Sequence, residues 1–308
     1  MRIVVSALWY PCAIAVYFLD AFRETGHKVV TVGPEFGTWI PWKGGMHLPE
    51  KYAIKPDIVA PQDGWNMSDA DLAVRERFGR PDLWVQIDAG YYLPIQPKAP
   101  WYDRATYPIA VIATDPHVLN YSKQRVEADF LFNMQDIYCE PGDIWLPYAY
   151  SARHHYPVEA EIEYDAMLIG LQYASRCAVM GALAEKGYRT YLETGPVFDQ
   201  ARDLYAKTKV ILNWSSKLDT VARVWEAMAF RKCLVTNRTP GLTPMFKEGE
   251  HYLGFGTIAE ALEKIEWALA HDEEREKIAH AGRQEVTTKG HSYDDRVEFI
   301  LGRVGPDA

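Results

Sequence analysis

Residues 2–32, RIVVSALWYPCAIAVYFLDAFRETGHKVVTV, decide the fold class. Residues 2–8 are an almost unbroken apolar run, the mark of a strand buried on both faces, and residues 12–25 carry the apolar spacing of an amphipathic helix. Gly26 stops that helix and residues 28–32 begin a second strand, so the stretch reads as one βαβ unit. The alternation continues outward. Strands are expected at 83–87, 109–113 and 129–133, with an irregular stretch rich in Gly, Pro and Trp at 34–65. Around 146–161 the periodicity fades and Pro and His gather, after which a second series starts. It runs strand 166–171, helix 175–186, strand 190–193, helix 198–208, strand 210–213, helix 220–230, strand 233–236, and helices 258–271 and 273–288. The expected class is α/β with two Rossmann-like domains, at 1–157 and 158–290, and a terminal helix within 291–308 that packs back on the first.

At 308 residues the chain has room for two such domains. Its 48% hydrophobic and 24% charged residues match soluble globular averages, which predicts packed cores rather than disorder. A formal net charge of -9 argues against broad attachment to nucleic acid or an anionic membrane and makes a small molecule the default partner. Cys12, Cys139, Cys177 and Cys233 are scattered, without the spacing of a zinc site or a disulfide framework. The first residues enter a strand directly, with no secretory leader, and no segment reaches the roughly 18 apolar residues of a membrane span. A cytoplasmic protein is the expectation, and the sequons at Asn66, Asn120 and Asn213 are read as chance.

Three groups of residues carry chemistry. Gly170-Leu-Gln-Tyr-Ala-Ser175-Arg176 follows a strand and opens a helix. A helix N-terminus offers unpaired N–H groups and about half a positive charge, and with Arg176 as a clamp it suits a pyrophosphate. The plainer alternative has Ser175 capping the helix and Arg176 solvated. The second group runs from Asn213 through Asp219 and Arg223 to Glu226. On a helix beginning near Asp219 the three charged residues share one face, because they lie four and three apart. A carboxylate there suits ribose hydroxyls and an arginine suits phosphate; the alternative is an ordinary salt-bridge ladder. Val221, Val224, Trp225 and Met228 make the segment apolar, and charges in such a setting need a purpose. The third group, Asp88, Asp115 and His117, follows predicted strands, where ligands gather in parallel sheets. Asp115, preceding Pro116, can equally start a turn, and His117 can be a loop or cap histidine. His154-His155 reads as a solvated linker without a third metal ligand, and Asp294-Asp295 as part of a charged helix, so no metal site is expected. Trp39, Trp42 and Trp65 are either packing residues or stacking surfaces for a sugar or base.

Arg223-Val-Trp-Glu226-Ala-Met-Ala, Cys233-Leu-Val-Thr-Asn, Phe246-Lys-Glu-Gly-Glu-His251 and the segments 278–283 and 291–296 resemble, in order, the CgeB-like (spore-maturation-type) glycosyltransferases. These are related to the larger GT-B group with the Glu-Ala-Met-Ala helix. Shorter similarities lie at Gln86-Ile-Asp88, Ala113-Thr-Asp115-Pro-His117, Phe132-Asn-Met-Gln135 and Leu146-Pro-Tyr148. The resemblance implies two Rossmann-like domains facing a central cleft, the first for an acceptor and the second for a nucleoside-diphosphate sugar. It implies further that Glu226 holds the donor ribose while Arg223 and Arg176 serve the diphosphate. One departure stands out: the larger family's sugar-contact glutamate, eight positions before Glu226, is Leu218 here.

The function expected is transfer of a sugar from a nucleoside-diphosphate sugar, a UDP-sugar first, to a hydroxyl acceptor, with no cofactor or metal. Gly170, Ser175, Arg176, Asn213, Asp219, Arg223 and Glu226 are the donor-site candidates, and Asp88, Asp115 and His117 the catalytic ones. The acceptor classes open are a saccharide, a protein, a small molecule or a modified nucleic-acid base, the last aided by Arg75, Arg77, Arg80 and Lys123 despite the acidic charge. Two other readings stand: a nucleotide-sugar epimerase, and a non-catalytic module that senses a nucleotide sugar, which the leucine at 218 keeps open.

Overall fold

The computed structural model describes residues 1–40, 46–61, 65–87, 107–215 and 217–304. The chain divides into two compact units, Met1–Pro147 together with Tyr293–Ala308, and Tyr148–Ser292.

In the first unit the strands are β1 (Arg2–Ser6), β2 (Lys28–Gly33), β3 (Trp39–Ile40), β4 (Met46–His47), β5 (Ile58–Val59), β6 (Leu83–Ile87), β7 (Ile109–Ala113), β8 (Phe130–Asn133) and β9 (Ile144–Trp145). The helices are α1 (Ile14–Glu24), α2 (Met67–Phe78) and α3 (Ser122–Glu127). Among the described residues, seven of these strands form a parallel sheet in the order β5-β2-β1-β6-β7-β8-β9. β6 and β7 are buried along their whole length, which explains their continuous apolar sequence. The stretch expected to be irregular holds an antiparallel β3-β4 pair and the edge strand β5, elements too short for a periodic signal. Trp65 packs against the core beside Met67, whereas Trp39 is 37% exposed and stacks on Phe36; Trp42 lies outside the described residues.

The second unit contains β10 (Tyr164–Ile169), β11 (Thr190–Glu193), β12 (Thr208–Asn213), β13 (Cys233–Asn237) and β14 (Leu253–Phe255). With them are α4 (Ala174–Glu185), α5 (Phe198–Ala206), α6 (Arg223–Ala229), α7 (Ile258–Ala270) and α8 (Asp272–Thr288). Its parallel sheet runs β11-β10-β12-β13-β14 among the described residues. Leu168, Val179, Leu183, Val210, Leu212, Val235 and Ile265 meet in its core, and each such side chain contributes about 1.5–3 kcal/mol on burial.

The chain leaves β10 toward β11 and returns on β10's other side to β12, so the order reverses between β10 and β12. A crevice opens at the carboxyl ends of the strands at such a reversal.

The last helix, α9 (Tyr293–Val304), belongs to the first unit. Tyr293 stacks on Tyr17 at 5.3 Å and meets Phe18 edge-on at 5.0 Å, while Arg296 Nε donates to Pro147 O at 2.8 Å. The units divide ten residues earlier than the fading periodicity suggests. Residues 148–157 go with the second unit because Tyr150 pairs with Ser292 and His155 packs on Phe230; His291 and Ser292 follow for the same reason.

Candidate functional site

At the reversal point of the second sheet, β10 ends in Ile169 and the next residue is Gly170, with φ +152°. A Cβ at Gly170 would lie 2.5 Å from Arg223 Nη2 and 3.5 Å from Arg176 Nη1. Glycine is therefore favoured both by the backbone angle and by the Arg223 guanidinium, which fills the space of a Cβ, while Arg176 lies at ordinary contact distance on the same side.

Arg223 opens α6 and spans the two strands, donating from Nη2 to Ile169 O (2.6 Å) and from Nη1 to Asn213 Oδ1 (2.9 Å). Asn213, 1% exposed, is fixed in turn by its Nδ2 bond to Thr236 Oγ1 at 2.9 Å. Arg176 lies in the first turn of α4 and is 5% exposed. Its Nε and Nη2 donate to Trp214 O at 2.8 and 2.6 Å, and its Nη1 to Leu171 O at 2.9 Å. Burial, helped by repulsion from Arg223, brings its pKa down to about 10. Neither arginine has an ion pair among the described residues. Carbonyl dipoles orient both guanidinium groups without neutralising them, so the locus stays positive.

Helix α4 adds to that field. Its N-cap is Tyr173, which makes no side-chain capping bond, so the first-turn amides are not occupied by a cap. Ser175 is the second helical residue and not the cap considered above: the cap lies two residues earlier, at Tyr173.

Asp219 departs from expectation. Helix α6 begins at Arg223, so 219, 223 and 226 do not share a helical face. Leu218 takes φ +60° and is 54% exposed, which turns the chain ahead of the helix, and Thr220 is tied to Thr239 by a 2.7 Å hydroxyl bond. Asp219 sits in that loop, 5% exposed, and its Oδ1 accepts from Lys217 N at 3.2 Å. It still adds negative charge near Arg176.

Glu226 is in the first turn of α6 with its side chain 22% exposed. Burial raises its pKa, against the opposing pull of Arg223. Its facing residue is His155, whose Nε2 is 3.8 Å from Glu226 Oε1. His155 is 5% exposed, not the solvated linker residue of the sequence reading. Its ring meets Phe230 edge-on at 5.5 Å, and Ser151 N–H donates to its Nδ1 at 3.0 Å. Burial, and next the neighbouring His154, lower its pKa to about 3. The imidazole is therefore neutral, with its proton on Nε2, and the contact with Glu226 is not an ion pair. No local signal could reveal this, because the partners are 71 positions apart. Tyr205 was also missed: its hydroxyl accepts from Ile169 N at 3.4 Å, lies beside Arg223, and has its pKa raised by burial.

In the first unit, Asp115 and His117 occupy the loop after β7. The carbonyl of Asp115 accepts from both Val118 N and Leu119 N at 3.0 Å, so the residue does start a turn, and the His117 ring is 6.0 Å from that of Tyr138. Asp88 lies outside the described residues. Among the described residues no three His, Cys, Asp or Glu side chains converge as metal ligands, and no helix is long and apolar enough to cross a membrane.

Residues 165–302 match the sequence model of the glycosyl transferase-like family. No curated protein matches the chain. Among solved structures, the chain is similar to an alpha-glucosyltransferase in complex with UDP and a 13-mer DNA containing an HMU base, with 12% identity, 99% of each chain covered and a TM-score of 0.67. It is similar to Anabaena HepE in complex with UDP and glucose, with 11% identity over 98% of this chain and 99% of that one and a TM-score of 0.66. It is similar also to sucrose-phosphate synthase from Thermosynechococcus elongatus, at 12% identity, 98% of each chain and a TM-score of 0.62. The fold is thus that of the GT-B glycosyltransferases. The glycosyl transferase-like sequence at residues 165–302 and this fold together define the class as glycosyltransferase-like, and that sequence covers most of the unit that carries the arginine site.

Proposed function

We propose that the second unit binds a UDP-sugar and that the enzyme passes the sugar to a hydroxyl acceptor recognised by the first unit. The carrying observation is the Arg223 guanidinium lodged across β10 and β12 over Gly170, with Arg176 and the uncapped start of α4 beside it. In this reading the diphosphate takes the open sides of both arginines and the first-turn amides of α4, including that of Ser175. Asn213 and Tyr205 keep Arg223 in place. Glu226 accepts from the ribose hydroxyls, a task suited to a carboxylate with two acceptor oxygens. Asp219 tunes the field at Arg176 rather than sharing the ribose.

Uridine is supported by the UDP present in the alpha-glucosyltransferase and HepE structures. The ordered similarity to CgeB-like sequences supports a place in that subgroup. Transfer breaks the bond between the anomeric carbon and the diphosphate oxygen and forms one to the acceptor oxygen. Positive charge at Arg176 and Arg223 stabilises the leaving diphosphate, and Asp88, Asp115 or His117 takes the acceptor proton. The acceptor is a hydroxyl of a saccharide, protein, small molecule or modified base, and the site of action is the cytoplasm.

Calorimetric titration with UDP, GDP, ADP and dTDP tests this. UDP binding that Arg223→Ala and Glu226→Ala each weaken at least ten-fold, in variants that still melt cooperatively, is the expected result. Affinity unchanged in both variants refutes the assignment. The exposed Leu218, where a sugar-contact carboxylate is missing, favours one second reading, a sensor that binds donor without turnover. Slow release of free sugar from a UDP-sugar excludes the sensor.

A further inference from the structure

We propose that the second unit carries a further binding site, at the end of its sheet opposite Gly170, for a small phosphorylated polyol of the sugar-phosphate kind, with Arg231 and Lys232 taking the phosphate and Glu159 the hydroxyls.

A cavity of about 430 Å³ opens where β12 begins at Thr208 and where Lys232 leads into β13. Asn213 lies at the other end of β12, about 16 Å away at roughly 3.3 Å per residue, so the cavity is separate from the Arg223 site. Four cations line it, and two of these are already balanced. Arg275 bonds Ala268 O at 3.1 Å and pairs with Asp272 and, at 3.5 Å, with Glu276, while Lys209 lies 3.8 Å from Asp165. The other two are not. Among the described residues no carboxylate comes within ion-pair distance of Arg231 or Lys232, and Lys232 Nζ gives only one of its three protons to a recorded partner, Ala206 O at 2.7 Å. Burial lowers the Lys232 pKa; Glu276 opposes that shift, and Arg275 and Arg231 add to it by repulsion, a crowding of positive charge that a bound anion relieves.

Arg231 also occupies a position that favours glycine. Its φ is +58°, and the bonds from Arg231 N to Met228 O (2.9 Å) and from Lys232 N to Ala227 O (3.1 Å) close α6 as a Schellman turn, whose left-handed residue is most often glycine. The turn therefore does not account for the arginine. The rest of the lining suits the other half of such a ligand. Phe230 and Ile162 supply an apolar wall for the face of a sugar ring, and the exposed Glu159, with no hydrogen bond or ion pair among the described residues, offers two acceptor oxygens to hydroxyls.

Calorimetric titration of the full chain with glucose 6-phosphate, and separately with its two halves, inorganic phosphate and glucose, tests the site. Glucose 6-phosphate is expected to bind more tightly than either half. Arg231→Gly should weaken it by about ten-fold or more, while the unliganded variant melts at the same temperature or higher because glycine relaxes the left-handed turn. Lys232→Gln should weaken it similarly; where that partly buried position does not tolerate the change, Arg231→Gly carries the test. Glu159→Ala should weaken glucose 6-phosphate and leave inorganic phosphate unchanged, and Arg223→Ala should leave both unchanged. No binding of glucose 6-phosphate at about 10 mM overturns the proposal. So does an affinity that falls with Arg223→Ala and not with Arg231→Gly, which would place the phosphate at the other end of the sheet. A more stable Arg231→Gly with undiminished affinity also overturns it, leaving Arg231 as no more than a charge at the end of a helix.

Discussion

Gly33 at the end of β2 and Gly170 just past β10 adopt nearly the same backbone angle, φ +151° and +152°, in two parallel sheets of one chain. The space each leaves open is used differently. At Gly33 a Cβ would lie 1.9 Å from Ala7 O and 2.9 Å from the indole of Trp9, a fully buried ring whose Nε1 donates to Val32 O at 2.8 Å. At Gly170 the neighbours are the ends of two arginine side chains. One glycine admits packed backbone and ring, the other admits charge. The first unit thus spends this position on stability, and the second spends it on a site that repels itself.

Four substitutions break or sharpen this contrast. The largest effect is expected from Gly33→Ala. Backbone cannot yield as a side chain can, so a loss on the order of 3 kcal/mol or more, or failure to fold, is expected in chemical denaturation. Gly170→Ala should instead push the Arg223 guanidinium aside. It should weaken UDP binding about 100-fold by calorimetry, with a smaller loss of stability than at Gly33; the reverse ranking would remove the distinction. His155 comes third. Burial lowers its pKa to about 3, so the stability it contributes is present above its ordinary value of about 6.5 and is lost as pH falls below that value. His155→Phe should flatten that part of the melting-temperature profile. The smallest change belongs to Glu226→Gln. Because burial raises the Glu226 pKa, its stabilising contribution holds at low pH and is lost as pH rises through the raised value. The glutamine variant should therefore melt slightly higher than the parent at alkaline pH, by about 1 kcal/mol or less, while binding UDP poorly.

Much of this architecture is legible without the structure, because buried parallel strands write continuous apolar runs. The expected and observed limits coincide for β6, β7 and β11. Strands of two or three residues, such as β5, β9 and β14, carry no period and leave no trace. The site was legible in its parts and not in its assembly. Gly170, Arg176, Asn213 and Arg223 are recognisable as residue types following strands, and the structure brings them to one point. The sequence puts the start of α6 too early because the Thr220–Thr239 bond and the left-handed Leu218 are tertiary facts, invisible to helix propensity. His155 looks solvent-facing in the sequence for the same reason: its burial depends on Phe230 and Glu226, which no local pattern connects to it.

The aromatic seam between α1 and α9 has a consequence for synthesis. The first unit is completed by residues 293–304, which a ribosome reaches only after making the 145 residues of Tyr148–Ser292. At about 5–20 residues per second, Tyr17 and Phe18 wait roughly 14 to 55 seconds for Tyr293. The nascent amino-terminal half therefore spends that interval with an uncovered aromatic face, a surface for chaperones that the finished molecule no longer presents.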